Sequence, residues 1–365
     1  MMEAYCINYM PEVFFGRKTR NKLHEKLSAF DKKLLLCGKH FHQSRFFEEL
    51  FSGRDDYIIY ECASSEPTLK SLGDALLCAR QHQVGAVAAI GGGSVIDTGK
   101  AVSALLYQPG SIRDYFYNRL DFSSERVFFC ALPTTAGTGA EVTPNAVFTD
   151  ELNGIKQSLR GRVCGVDLAI VDPELTYDCP LNVIRWSGMD SLTQAIEGAV
   201  SRRANNVTLA WSMRAFELVL NNLENACNGD LSAKDAVAEG TMLGALAFTY
   251  SGLGAVHGLA HPLGSVCHLP HGLVCGVLLP HILEINFSAL VKLADTYYNG
   301  RVSATEIMDK VKKLASKLEI PCDFKGYLKK EDFDFIIKNC RSGSMKCNPV
   351  ELTDEDIAAL LEKMV

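Results

Sequence analysis

Between residues 33 and 171, short apolar runs alternate with segments of helical periodicity, and this alternation constrains the fold more than any other feature. The apolar runs, which we predict to be strands, are residues 33–37, 57–60, 84–90, 127–132 and 168–171. The segments that we predict to be helices are residues 42–52, 68–81 and 96–106. Such alternation is typical of a parallel sheet in an α/β layer.

The pattern changes after Pro180, where long segments with a 3.6-residue period replace the apolar runs. A chain of 365 residues also exceeds the size at which one hydrophobic core stops growing, about 250–300 residues. We therefore predict two domains, an α/β domain of residues 1–180 and an all-helical domain of residues 181–365.

The net charge and the cysteine content exclude some partners and some cellular compartments. A formal net charge of −6 with no basic stripe argues against a nucleic acid partner, because phosphate binding needs clustered Lys and Arg. The first residues lack the basic and apolar regions of a signal peptide. Thirteen cysteines, an odd number with no C-x-x-C pair, are typical of free thiols in a reducing compartment. We therefore expect a cytoplasmic protein with no membrane partner.

A glycine segment, Gly91-Gly92-Gly93-Ser94, lies where a buried strand turns into a helix. Bare backbone amides at a helix N-terminus suit a pyrophosphate, although a tight turn without a ligand remains the alternative. The spacing excludes a P-loop, because five residues separate Gly93 from Gly99 and Ala101 follows Lys100. The G-x-G-x-x-G fingerprint is also out of register.

A second loop of this kind, residues 133–143 (PTTAGTGAEVT), follows the next predicted strand. Its hydroxyls and amides suit phosphate oxygens or a nicotinamide carboxamide, and the alternative is a Thr-rich turn that caps the next element. Two such loops at strand ends favour a dinucleotide site.

Histidines are concentrated in the most apolar stretch of the chain, residues 242–285, which holds five of the nine. They exclude a lipid-spanning helix, so the stretch is predicted to be a buried helical core. His257 and His261 are four residues apart and share one helix face, and His271 follows. Three histidines that converge in an apolar region are costly unless a metal or a substrate engages them.

Asp190 and Gln194 are one helical turn apart and face the same way. Asp190 therefore offers the carboxylate that a metal site with imidazole ligands needs. The alternative is an ordinary charge near a helix N-terminus.

Together these segments resemble the iron-containing (group III) alcohol dehydrogenase family over nearly the whole chain. The matching motifs are FFGRKTRNKL from Phe14, AAIGGGSVIDTGKA from Ala88, LPTTAGTGAEVT from Leu132, DPELT from Asp172, GMDSLTQAIEG from Gly188, VHGLAHPLG from Val256, PHG from Pro270, LLPHILEIN from Leu278 and CNPVELTDEDIAALL from Cys347.

The resemblance implies an α/β dinucleotide-binding domain followed by an all-helical metal-binding domain, as in dehydroquinate synthase-like proteins. It implies hydride transfer between NAD or NADP and a small primary alcohol or aldehyde at a divalent metal, in a cytoplasmic homodimer. The implied metal ligands are Asp190, His257 and His271, with Gln194 at the fourth ligand position. The implied catalytic residues are His261, His257 and Asp190. The implied cofactor residues are Gly92, Gly93, Ser94, Asp97, Thr134, Thr135 and Thr138.

Two departures from the family pattern bear on metal and cofactor. The family usually has His where this chain has Gln194, and a neutral amide is a weaker donor, so we expect weakened iron binding and a site that suits zinc. NAD-preferring members commonly place an Asp at the end of the first strand, where this chain has Gly38 and then Lys39. We therefore count Gly38 among the cofactor residues and expect NADP to be used at least as well as NAD.

Two other functions remain open from the sequence. A lyase that acts on a phosphorylated sugar, like dehydroquinate synthase, would need basic residues near the histidines, and residues 250–290 contain no Lys or Arg. The other open possibility is a cofactor-binding protein without catalytic activity. The alcohol itself is not predicted, since apolar walls such as those near Phe248, Tyr250 and residues 265–268 discriminate poorly between small alcohols.

Overall fold

The computed structural model describes residues 4–62 and 66–365, which form two compact units. The α/β unit comprises Asn8–Thr135 and Gly139–Cys179. The helical unit comprises residues 4–7, Ala136–Thr138 and Pro180–Val365. The segment Ala136–Thr138 therefore belongs with the helices, although it lies between two parts of the α/β unit in sequence.

The α/β unit is built on a parallel sheet. Its strands are β1 (Glu12–Phe15), β2 (Lys33–Gly38), β3 (Tyr57–Cys62), β4 (Ala86–Gly91), β5 (Phe128–Pro133), β6 (Asn145–Asp150), β7 (Ile155–Arg160) and β8 (Leu168–Val171). Its helices are α1 (Leu23–Lys26), α2 (Lys39–His42), α3 (Arg45–Phe51), α4 (Leu69–His82), α5 (Gly93–Leu105) and α6 (Ile112–Phe116). Six strands form a sheet in the order β1-β8-β5-β4-β2-β3, and every pair is parallel. Both β4 and β8 are buried along their whole length, as expected for central strands covered on both faces.

The predicted α/β layer with parallel strands is confirmed, and three details differ from the prediction. The edge strand β1 was not predicted. The helix predicted over residues 42–52 is present but begins later, at Arg45 (α3), and the short helix α2 precedes it with a break between the two. Ser44 adopts an extended backbone there, and its side chain accepts a hydrogen bond from the Phe47 amide, which starts α3. The antiparallel hairpin of β6 and β7 was not predicted, since β7 (IKQSLR) is polar and mostly exposed.

From residue 181 onward the chain contains helices and no strand, as predicted for this stretch, which the structure describes throughout. The helices are α7 (Leu181–Val200), α8 (Asn206–Cys227), α9 (Leu231–Ser251), α10 (Ala255–Cys267), α11 (His271–Ile285), α12 (Phe287–Tyr298), α13 (Ala304–Lys317), α14 (Phe333–Asn339) and α15 (Asp354–Glu362). Polar caps set several starts: the Asn205 side chain accepts hydrogen bonds from two amides of the first turn of α8.

The hydrophobic core of this unit is continuous from α7 to α15 and includes thirteen buried residues of the apolar stretch 242–285. Among the described residues, no single helix is long and apolar enough to cross a membrane. Two consecutive pairs, α9 with α10 and α11 with α12, are long and apolar enough only when the two helices are taken together, and they are bent by 104° and 84°. All thirteen cysteines are free thiols, as predicted.

Candidate active site

The glycine segment occupies the turn from β4 into α5. Gly91 ends the strand, and Gly92 caps the helix with an extended backbone and no side-chain hydrogen bond. A Cβ atom at Gly91 would lie 2.6 Å from the Val95 Cβ atom, so only glycine allows so tight a turn. The start of a 13-residue helix, with its positive dipole end, is therefore left without a capping side chain.

The Thr-rich loop lies beside this turn. The Thr134 amide donates a hydrogen bond of 2.9 Å to the Gly91 carbonyl oxygen. A Cβ atom at Gly92 would lie 3.5 Å from Thr135 Oγ1, so the two loops face each other across a narrow gap. The structure thus brings together the predicted cofactor residues of both loops, except that Thr138 is exposed and belongs to the helical unit.

Gly38 ends β2 next to the same turn. A Cβ atom at this position would meet Val95 Cγ2 of α5 at 3.7 Å, which is ordinary van der Waals contact. Lys39 and His40, which follow Gly38, are exposed. Lys39 and His40 therefore lie exposed at the end of β2, and Gly38 has space for a larger side chain.

Asp97 has a structural environment that the sequence did not predict. Its carboxylate is buried, accepts a hydrogen bond of 2.9 Å from the Val147 amide, and lies 3.2 Å from Lys100 Nζ. Lys100 is fully buried and also donates to the Asn145 carbonyl oxygen at 2.7 Å. Burial raises the pKa of Asp97, although Lys100 and the Val147 amide counteract the rise. Asp97 Oδ2 thus anchors α5 directly to β6, and Oδ1 does so through Lys100, which also lies on α5 and donates to Asn145 of β6.

In the helical unit, the predicted metal ligands converge from three helices. Asp190 comes from α7, His257 from α10 and His271 from α11. His257 Nε2 lies 3.1 Å from Asp190 Oδ1, and His271 Nε2 lies 4.0 Å from the same oxygen. Cys275 of α11, which the sequence analysis missed, joins them, and the four potential ligand atoms lie within 4.8 Å of one another. The donor cluster, as we call these four residues, could hold a metal ion.

Close backbone packing produces this convergence. A Cβ atom at Gly272 would lie 2.2 Å from the Trp186 carbonyl oxygen, so only glycine lets α11 begin this close to α7. Gly272 directly follows His271, and Trp186 lies one helical turn before Asp190. The glycine of the PHG motif therefore sets the distance between the imidazole and the carboxylate.

Glu197, two helical turns after Asp190, supports the donor cluster from behind. Its Oε2 atom lies 2.6 Å from His257 Nδ1, and its Oε1 atom accepts a hydrogen bond of 2.7 Å from the Val256 amide. Both Glu197 oxygens are thus engaged in a fully buried setting. Glu197 was not predicted from the sequence, although its seven-residue spacing from Asp190 puts it on the same helix face.

The electrostatics of the donor cluster favour a cation. Burial lowers the pKa of His257, but hydrogen bonds to Asp190 and Glu197 outweigh burial and raise that pKa to about 10. Burial raises the pKa of Asp190, whereas His257 and His271 bring it below its usual value. Two buried carboxylates, Asp190 and Glu197, thus lie against the His257 ring, and this arrangement favours a positive charge at the donor cluster.

Gln194 carries an oxygen that lacks a partner. It lies one turn after Asp190 on α7, and its Oε1 atom is buried with no hydrogen-bond donor among the described residues. An unsatisfied buried amide oxygen costs about 1–3 kcal/mol, which a nearby cation would offset. The unpartnered amide oxygen, the carboxylate and the imidazoles are all groups that can coordinate a divalent metal.

His261 lies at the edge of the donor cluster, next to His271. His261 is exposed, and its ring stacks on that of His271, with centroids 5.0 Å apart and planes inclined by 26°. His257 and His271 are 5.5 Å apart by the same measure. Phe248 and Tyr250, near the end of α9, are half-buried. The imidazole of His261 is therefore the one in this group that solvent reaches most easily.

Among the solved structures that resemble this chain over nearly its whole length are oxidoreductases. Sulfoacetaldehyde reductase from Bifidobacterium kashiwanohense, determined in complex with NAD+, matches with a TM-score of 0.92 and 26% sequence identity, over 99% of each chain. Its agreement with the whole chain confirms the fold class, a parallel-sheet domain followed by a mostly helical one. This likeness favours an oxidoreductase.

The family follows from the sequence matches. Residues 11–173 match the family described as iron-containing alcohol dehydrogenase, and residues 185–365 match the C-terminal part of the Fe-containing alcohol dehydrogenase family. This chain belongs to the iron-containing alcohol dehydrogenase family, which confirms the resemblance.

Two curated relatives agree with this assignment. Alcohol dehydrogenase 4 of Schizosaccharomyces pombe is 31% identical over 315 residues, which cover 83% of this chain and 74% of the relative. NAD-dependent methanol dehydrogenase of Bacillus methanolicus is 30% identical over 372 residues, which cover 96% and 97% respectively. Both likenesses favour an oxidoreductase over the lyase alternative.

Proposed function

We propose that this protein transfers a hydride between a nicotinamide dinucleotide and a small primary alcohol or aldehyde at a divalent metal. The observation that carries the proposal is the convergence of Asp190, His257 and His271, whose ligand atoms lie within 4.8 Å of one another. The buried, unpartnered Oε1 of Gln194 one turn away supports the same conclusion. In this proposal Asp190, His257 and His271 hold the metal, and Gln194 adds at most a weak amide donor.

The chemistry divides between the bound groups and the chain. The nicotinamide supplies the hydride donor or acceptor, and the divalent cation supplies a Lewis acid that polarises the substrate oxygen. Glu197 holds the Nδ1 proton of His257 and thereby keeps Nε2 of the same ring directed at Asp190. Burial of Asp190 and His257 excludes water from one side of the donor cluster.

His261 has the role of moving the substrate proton. An imidazole can accept and release a proton near neutral pH, and this one is exposed beside His271. A ring nitrogen of His261 would take the proton from the alcohol during oxidation and return it during reduction. The α/β unit would bind the cofactor through Gly92, Gly93 and Ser94, with Thr134 and Thr135 beside them.

Removing the metal tests the proposed function. We expect protein purified without added metal to contain a divalent ion, and a chelator to lower the rate of aldehyde reduction by about a hundredfold or more. This expectation reflects the several kcal/mol that a Lewis acid contributes, at about 1.4 kcal/mol for each factor of ten. The measurement is the rate of reduction of a panel of small aldehydes with NADH and with NADPH. Rates are compared before chelation, after chelation, and after zinc or iron is added back. Full activity of metal-free protein would overturn the metal part of the proposal.

We also propose that NADP serves at least as well as NAD. No acidic side chain ends β2 to repel a 2′-phosphate, and Lys39 and His40 are exposed nearby. Because a Cβ atom fits at Gly38, Gly38→Asp should fold and place a carboxylate at this point.

We expect Gly38→Asp to lower kcat/KM for NADPH by about tenfold or more and to leave that for NADH unchanged or higher. One like-charge contact near about 4 Å costs roughly 1–4 kcal/mol at a protein surface. Gly343→Asp, at an exposed glycine with nothing within 4 Å of an added Cβ, is the matched control for the added charge. An unchanged NADPH efficiency in Gly38→Asp would count against the proposal.

Three broader expectations also stand as proposals. We keep the domain limits at residues 1–180 and 181–365, a homodimer, and a cytoplasmic location. The thirteen free thiols support a reducing compartment.

A further inference from the structure

Cys275 is the member of the donor cluster that the family resemblance does not explain. It lies one helical turn after His271 on α11 and is fully buried. Its Sγ atom lies 3.6 Å from His271 Nε2. Among the described residues, this is the one group of three or more His, Cys, Asp or Glu side chains arranged to hold a metal ion.

The distances in the donor cluster suit a tetrahedral ion. Nitrogen at about 2.0–2.1 Å and sulfur at about 2.3 Å from zinc, at a tetrahedral angle, lie roughly 3.5 Å apart. The Cys275 to His271 distance of 3.6 Å and the His257 to Asp190 distance of 3.1 Å are both close to this value. The 4.0 Å between His271 Nε2 and Asp190 Oδ1 is longer than this value.

A buried cysteine often serves only as a small apolar side chain, so its surroundings decide its role. Cys275 is fully buried, and its Sγ atom lies within 4.8 Å of the ligand atoms of Asp190, His257 and His271. A thiol that coordinates a divalent cation is deprotonated outright, so Cys275 would bind the metal as a thiolate.

We propose that Cys275 is a metal ligand, so that the donor set consists of one Asp, two His and one Cys and selects zinc over iron. The inference rests on the proposed function, since it concerns the same site. It also explains how the chain tolerates Gln194, since a thiolate provides the strong donor that the amide lacks. Soft sulfur ligands favour zinc, and zinc can expand to five ligands, so a full protein donor set leaves access for substrate.

A cobalt probe tests the proposal without relying on activity. The full-length protein is stripped of metal, loaded with Co²⁺, and its near-ultraviolet spectrum is recorded. We expect a thiolate-to-cobalt charge-transfer band, which Cys275→Ser and Cys275→Ala abolish. Cys340→Ser is the matched control, because Cys340 is equally buried in the helical unit but lies outside the donor cluster. It should keep the band.

Zinc affinity provides a second measurement. In competition with a chromophoric chelator, we expect Cys275→Ser to bind Zn²⁺ at least about tenfold to a hundredfold more weakly, and to lose its preference for Zn²⁺ over Fe²⁺. If the unaltered protein binds Co²⁺ without a charge-transfer band, the inference is overturned while the proposed function stands. If the unaltered protein binds no metal, both fail. The spectrum of the unaltered protein decides even if a variant does not fold.

Discussion

Replacement of His271 by Ala is expected to remove bound metal and to lower turnover by about a thousandfold or more, whereas His261→Ala keeps the metal and loses rate alone. His271 Nε2 lies 3.6 Å from Cys275 Sγ and 4.0 Å from Asp190 Oδ1, so its loss opens one side of the donor cluster. A Lewis acid contributes several kcal/mol to such a reaction, and 1.36 kcal/mol corresponds to a factor of ten.

His261 is the natural control, because its ring stacks on that of His271 and is equal in size and chemistry. The loss of a general acid or base costs about 10²–10⁴ in rate without any loss of bound metal. Elemental analysis of both variants, beside steady-state rates of aldehyde reduction, measures the two effects separately. Full metal occupancy in His271→Ala would show that His271 is not a ligand, and metal loss in His261→Ala would show that the roles are exchanged.

The sheet shows which part of the fold the sequence could reveal. Strands β4 and β8 are buried on both faces. Such strands are continuous apolar runs, so they can be recognised in the sequence without knowing which strands they pair with. Strand β7 is polar and pairs only with β6, so its pattern resembles that of a loop. The break at Ser44 depends on a single capping hydrogen bond, which periodicity does not register.

The donor cluster shows a similar division. His257 and His271 could be selected because histidines are unusual in an apolar stretch, and Asp190 because it offers a carboxylate on a helix, and the structure brings these three together. Cys275 and Glu197 also have helical spacings from His271 or Asp190, but those spacings are equally common between residues of one packed face. The importance of Glu197 depends on the contact between α7 and α10, which brings it to residues nearly sixty positions away. The importance of Cys275 depends on the convergence of α7, α10 and α11. Tertiary packing of this kind is absent from local patterns.

Asp97 is the opposite case. It was selected from the sequence as a cofactor residue, but its carboxylate also makes structural hydrogen bonds. Its carboxylate is occupied by Lys100 and by the Val147 amide. A fully buried lysine needs such a partner, because an unpaired buried charge costs several kcal/mol. Since the sequence places Lys100 only three residues later, the pair could have been recognised, but its burial could not.

Glu197→Gln is expected to weaken metal binding by about tenfold to a hundredfold, the usual effect of losing a partner behind a ligating histidine. Glu197 accepts two hydrogen bonds, one on each oxygen, from His257 Nδ1 and from the Val256 amide. A glutamine has one oxygen and one NH2 group. Its oxygen can accept from only one of the two groups, the Val256 amide or His257 Nδ1, and the other group must then face the NH2 group. If the NH2 group faces His257, the imidazole adopts the other tautomer and carries its proton on Nε2, the atom directed at Asp190.

The measurement is again chelator competition for Zn²⁺, together with kcat per bound metal ion, because a positioning residue alters occupancy more than it alters the reaction of the loaded enzyme. Glu284→Gln is the matched control, since that exposed carboxylate of α11 pairs only with the side chain of Lys312, at 2.6 Å. The control should bind zinc as the unaltered protein does. If Glu197→Gln retained full zinc affinity, the buried carboxylate would serve only to join α7 to α10. A thermal transition that fell while affinity stayed constant would lead to the same conclusion, because stability responds to the Val256 hydrogen bond and affinity responds to the His257 tautomer.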